Sequence, residues 1–164
     1  MKIVHRLNNI AGVADMEIIN GILTNDVARS KYTRFWVRAN FWASSLSPIL
    51  NDYIKVECIR AYSFNEAIER VKPTIIIYNI KGGETALFKN ANLDGVEKVL
   101  LELHQWAVGR KNIKKLFDYF SARDFHYNQW HSSGSVVLFS HIYRDKMRKE
   151  RLELSEKEWG MFKK

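Results

Sequence analysis

Apolar residues at Ile3, Val4, Leu7, Ile10 and Ala11 recur at three- and four-residue spacing and predict a helix from Lys2 to about Ala14, weakened by Asn8-Asn9 and ended by Gly12. Met16 to Leu23 changes to a strand pattern, in which Gly21 marks a bend or a close backbone approach. A short strand is expected around Phe35 to Arg38, followed by a loop that carries Trp42 over the core. Tyr53 to Arg60 alternates again, with Ile54, Val56 and Cys58 on one face. Ser63-Phe64-Asn65-Glu66 has the form of a capping box and opens a helix to about Val71, which Pro73 punctuates.

The chain from Pro73 to His104 organises the rest. Thr74 to Tyr78 is an uninterrupted apolar strand, Gly82-Gly83 a turn, Glu84 to about Lys89 a short helix, and Val99 to Leu103 a second apolar strand. Strand, helix, strand is a parallel crossover unit. Thr74-Ile75-Ile76-Ile77-Tyr78 does not alternate with polar residues, so it should be covered on both faces in the middle of a doubly wound sheet. Beyond it, Ile113, Leu116, Phe117 and Phe120 predict an amphipathic helix over Asn112 to Phe120. Phe125 to Trp130 and Val136 to Ser140 flank Ser132-Ser133-Gly134 and predict an antiparallel hairpin. A last helix is expected from about Tyr143 or Ser155, anchored by Leu152, Leu154, Trp159 and Phe162.

Composition narrows the class. A chain of 164 residues, 46% hydrophobic and 13% aromatic, can bury a core as one domain over 1–164. No run of eighteen apolar residues exists and MKIVHRLNN lacks the apolar segment of a signal peptide, so the expectation is a soluble, cytoplasmic protein without membrane association. The single Cys58 forms no internal disulfide. The net charge of +8 is spread over Arg29 to Arg38, Arg110 to Lys115 and the tail from Arg144, a pattern closer to solubility than to one binding face. Tyr32, Phe35, Trp36, Phe41 and Trp42, interleaved with Arg29, Lys31, Arg34 and Arg38, would suit a stacking platform for single-stranded nucleic acid. No glycine-aromatic signature accompanies them, and nucleic acid is disfavoured as a partner.

The central stretch resembles the signature of the FkbM-type methyltransferases, in which a Pro-led apolar strand runs into Asp-(Ile/Val)-Glu-Gly-x-Glu, then a helix, then a strand ending Glu-x-His. Here the first motif stands as Asn79-Ile80-Lys81-Gly82-Gly83-Glu84 and the second as Glu102-Leu103-His104. Trp42-Ala43-Ser44-Ser45-Leu46 is similar to the Trp-Gly-(Ser)-Ser-Leu-like loop of the family. The resemblance implies an α/β, Rossmann-like class I methyltransferase fold, mostly parallel with a terminal antiparallel hairpin. It implies methyl transfer from S-adenosylmethionine to a hydroxyl of a small-molecule acceptor such as a carbohydrate. Carried over by motif position, the candidate catalytic residues are Asn79, Glu84, Glu102 and His104, with Asn79 and Lys81 departing from the family's acids.

Each candidate has a chemical reading of its own. Asn79 is neither a base nor a good metal ligand, and Lys81 disfavours a divalent cation, so no metal is assigned. Glu84 opens its helix, where a carboxylate is favoured by the helix dipole and the free amides. Glu102 and His104, two apart on a strand, share a face and suit one bound metal, an acid-base pair or a hydrogen-bonded strand end. His126, His131 and His141 fall on the hairpin and read as structural or exposed.

No Gly-x-Gly occurs, so no cofactor-binding residue can be assigned, and the resemblance covers only the later part of a family domain. The expected fold is therefore truncated at its amino end, leaving the Thr74 to Tyr78 strand without its usual neighbour. Three outcomes are open to such a chain: a remnant without activity, one half of an enzyme completed by a second chain, or an inactive interaction module, for instance a homodimer through the exposed strand.

Overall fold

The computed structural model describes residues 17–25, 32–39, 44, 53–80 and 83–144. The helix expected over Lys2 to Ala14, the Trp42 loop, Lys81, Gly82 and the last helix lie outside the described residues, except for a turn at 142–144. The architecture is mixed α/β, with strands β1 (Ile22–Thr24), β2 (Tyr32–Arg38), β3 (Tyr53–Ser63), β4 (Ile75–Tyr78), β5 (Lys98–Glu102), β6 (Phe125–Tyr127) and β7 (Val136–His141). Four helices are described: α1 (Phe64–Val71), α2 (Glu84–Phe88), α3 (Gln105–Val108) and α4 (Arg110–Ser121).

The strands form two sheets, β1-β3-β2 and β4-β5-β7-β6. In the first, β1 is parallel and β2 antiparallel to β3. Gly21, just before β1, marks the close approach its sequence predicts: a Cβ there would lie 2.8 Å from the Arg60 carbonyl and 2.3 Å from the Tyr62 ring. The Ser63 hydroxyl accepts from the Glu66 amide at 3.2 Å, which starts α1 where the capping box places it.

The second sheet contains the crossover unit. β4 and β5 pair in parallel, Ile75 with Lys98 through Tyr78 with Leu101, and α2 lies between them in sequence. β7 is antiparallel to β5, and β6 to β7, so the expected terminal hairpin is present in a sheet that is mixed rather than mostly parallel. Asn128 turns into a 3-10 segment at Gln129–His131, which shortens the predicted first hairpin strand to Phe125–Tyr127.

One face of this sheet is packed. Val99, Leu101, Val137, Phe139 and Phe125 meet α2 and α4 through Phe88, Leu116 and Phe120, and Phe120 stacks on Phe139 at 4.3 Å between ring centroids. Burying such side chains contributes about 2 kcal/mol each. The core is drawn from residues 64–139, with Leu23 of β1 packed against it.

The expectation that the Thr74 to Tyr78 strand is covered on both faces is overturned. Among the described residues β4 is an edge strand, and of its apolar run only Tyr78 is buried. Ile75 is 52% and Ile77 76% exposed, because alternate residues of a strand face opposite ways and the described elements pack only on the side of Ile76 and Tyr78. The apolar run marks a strand suited to two covered faces, of which the described residues cover one.

Candidate functional site

β4 and β5 end side by side, and the segments leaving the two strands meet there. After β4 the chain turns through Gly83 into α2, whose first residue is Glu84; β5 ends at Glu102 and passes through Leu103 to His104. The crossover topology thus brings together residues twenty apart in sequence. Glu84 Oε1 lies 2.8 Å from His104 Nδ1, and both side chains are buried. Glu84, fully enclosed, has no partner for its second oxygen among the described residues.

The other ring nitrogen faces Glu102. His104 Nε2 stands 3.6 Å from Glu102 Oε1, too long for a hydrogen bond, so the two are neighbouring acceptors rather than a bonded pair. An ionised Glu84 only accepts, so Nδ1 carries the proton it donates and Nε2 is left as the basic nitrogen. A buried carboxylate behind an imidazole fixes its tautomer and stabilises the imidazolium that forms when Nε2 takes a proton.

Tyr78 closes the site from the β4 side. Its ring packs edge-on to Phe88 at 5.4 Å, and a Cβ on Gly83 would fall 3.1 Å from its hydroxyl. Burial, reinforced by the negative charge of Glu84, raises the phenol well above the ordinary tyrosine range and keeps it neutral. On the β5 side α3 presents Trp106, whose ring meets His104 edge-on at 6.2 Å and is 78% exposed.

Of the four sequence candidates, the fold brings three together. Glu84 and His104 are in contact, Glu102 flanks them, and Asn79 lies exposed just beyond the end of β4. Glu84 is more than a carboxylate at a helix start, and the closest pairing of His104 is with Glu84 rather than with its strand neighbour Glu102. The sequence places the strand end Tyr78-Asn79 at a ligand site without giving Tyr78 a role, and it missed Trp106, whose only signal was its position two residues past the histidine. Among the described residues no three His, Cys, Asp or Glu side chains are set to hold a metal ion.

The hairpin histidines stand apart. His141 is buried against Phe125 at 5.0 Å between rings, while exposed His131 bonds the Asn128 side chain. His141 lines an open depression of about 420 Å³ at the opposite end of the sheet, with Asn92, Arg123, Asp124 and Arg144. Both arginines there serve the fold: Arg144 donates to the Leu93 and Val96 carbonyls, and Arg123 lies over the Tyr119 ring at 3.8 Å. This depression is therefore remote from the chemistry at His104.

No family model, no curated protein and no solved structure matches this chain.

Proposed function

We propose that the ends of β4 and β5 form a general-base site for a hydroxyl, in a methyltransferase domain of FkbM-like type that acts on a sugar or another small molecule. The observation that carries this reading is the enclosed Glu84–His104 pair, with the second ring nitrogen 3.6 Å from the partly exposed Glu102. A proton would pass from the acceptor hydroxyl to His104 Nε2, leaving the oxygen nucleophilic, while Glu84 balances the charge on the ring. Glu102 accepts from a neighbouring hydroxyl of the same acceptor. Asn79 and Lys81, which replace the acids of the family motif, are given no catalytic part.

The methyl donor implied by the resemblance is S-adenosylmethionine, whose electrophilic methyl group would supply the other half of the reaction. The described residues do not fit that group. The chain holds no Gly-x-Gly stretch to let its backbone approach the group closely. Among the described residues β4 has no strand on its outer side to carry one. The seat for the donor belongs to a complementing chain or to residues outside those described.

Calorimetric titration with S-adenosylmethionine and with its demethylated product tests the reading. Micromolar binding, about 8 kcal/mol, supports a methyltransferase complete in this chain. Absence of heat from the isolated chain, together with no binding after a candidate second chain is added, removes methyl transfer.

A second reading, an inactive interaction module, is favoured by the open edge and exposed isoleucines of β4. Light scattering on a size-exclusion column discriminates: a homodimer supports it, and a clean monomer counts against it.

A further inference from the structure

Trp106 is costly where it stands. Tryptophan is on average among the most buried side chains, and an indole left in water forgoes the gain that covering its faces would bring. Its place is also closely fixed. His104 caps α3, its carbonyl accepts from Ala107 at 2.8 Å and Val108 at 3.0 Å, and Gly109, at φ +78, ends the turn. The backbone of Trp106 therefore keeps one position relative to that of His104, and the indole meets the imidazole edge-on at 6.2 Å.

We propose that Trp106 is a positioning residue that seats the apolar face of a saturated, polyhydroxylated ring beside His104, so that one ring hydroxyl meets Nε2 and a second meets Glu102. Three observations converge on that class of ligand. An exposed indole offers a flat apolar face to ring C–H groups. Two acceptors, Nε2 and Glu102 Oε1, lie 3.6 Å apart, a separation that suits vicinal hydroxyls better than a single donor. All three side chains sit within five residues at the carboxyl end of β5, where open α/β sheets take their ligands. The inference rests on reading the Glu84–His104 pair as a base for a hydroxyl, and it holds whatever electrophile the oxygen then attacks.

The test uses the isotopically labelled full chain and the side-chain N–H signals of its five tryptophans, with that of Trp106 assigned from Trp106→Phe. A panel of methyl hexopyranosides is the probe, and a nucleoside is the planar control. The expected result is a saturable shift of the Trp106 signal together with the His104 ring signals for at least one pyranoside. Trp106→Ala should weaken that binding by about tenfold, and Trp106→Phe should retain most of it. Because the side chain is exposed, an unchanged amide spectrum of Trp106→Ala shows that the fold is intact. No saturable shift with any pyranoside, a shift confined to Trp130, equal affinity in Trp106→Ala, or a response to the nucleoside alone each overturns the proposal. The outcomes separate from those of the donor titration. Pyranoside binding without S-adenosylmethionine binding, by the chain alone or with a candidate second chain, removes methyl transfer and leaves Trp106 in place; the converse removes only Trp106.

Discussion

At the scale of single residues, the enclosed Glu84 sets the strongest expectations. Truncating one member of a buried charged pair strands the other, whereas replacing the charge by a neutral group of the same shape need not. Glu84→Ala should lower unfolding free energy by about 3 kcal/mol, because His104 Nδ1 loses its acceptor in a buried site. Glu84→Gln should cost about 1 kcal/mol or less, since its amide oxygen still accepts from Nδ1. Urea titration of the two variants checks the contrast, and equal losses would mean that the pair does not depend on the hydrogen bond. Three described groups give the stability curve its pH dependence: His141, Tyr78 and Tyr119, whose phenol is raised by burial against an opposing effect of Arg123. His141 is held below its ordinary value of 6.5, first by burial and then by Arg144, against a smaller opposing effect of Asp124. The native state favours the neutral ring, so its contribution is present above pH 6.5 and is lost as pH falls below that value. Tyr78 behaves in the opposite sense. Its raised phenol contributes fully below the ordinary value of 10.0, and that contribution is lost as pH rises beyond it. Denaturation midpoints should therefore decline on both sides, and Tyr78→Phe should flatten only the alkaline limb.

At the scale of elements, most boundaries were legible. The Ser63 cap, the Pro73 stop and the helical spacing of Leu116 and Phe120 each act within a few residues, and the elements they mark are present. Ser63→Ala should cost about 1 kcal/mol in thermal or urea unfolding. Gly21→Ala should cost more, about 2 kcal/mol, because the Arg60 carbonyl that its Cβ would meet is backbone and cannot turn aside. The status of β4 was only half legible. Three successive isoleucines encode a strand that prefers cover, but cover is a property of neighbours, and no local pattern reports whether they are there. The Glu84–His104 contact was hidden for the same reason. Motif position named both residues, yet their pairing is made by the crossover that sets α2 against the end of β5. Glu102, beside His104 in sequence, was the more visible partner and the weaker one.

For the whole molecule, the open edge of β4 becomes a question of association. If copies pair through it, Ile77→Lys should shift the species seen by light scattering toward monomer. An edge lysine opposes strand addition, and Ile77 is already 76% exposed, so the fold should lose little. A monomeric parent would make the substitution silent and would leave the edge to a different chain. No helix among the described residues is long and apolar enough to cross a membrane.

The division into two sheets also governs how the molecule opens. The buried cluster lies in residues 64–139, while β2 is tied to the rest through β3 and most of the outer half of β3 is exposed. The two parts should breathe on different clocks. Amide protons of Val99 and Leu101 should exchange with solvent only when the entire chain unfolds, and those of β2 through smaller excursions that leave β5 and β7 intact. A protein of this design can remodel or lose the order of its first sheet while the Glu84–His104 pair, anchored in the second, stays assembled.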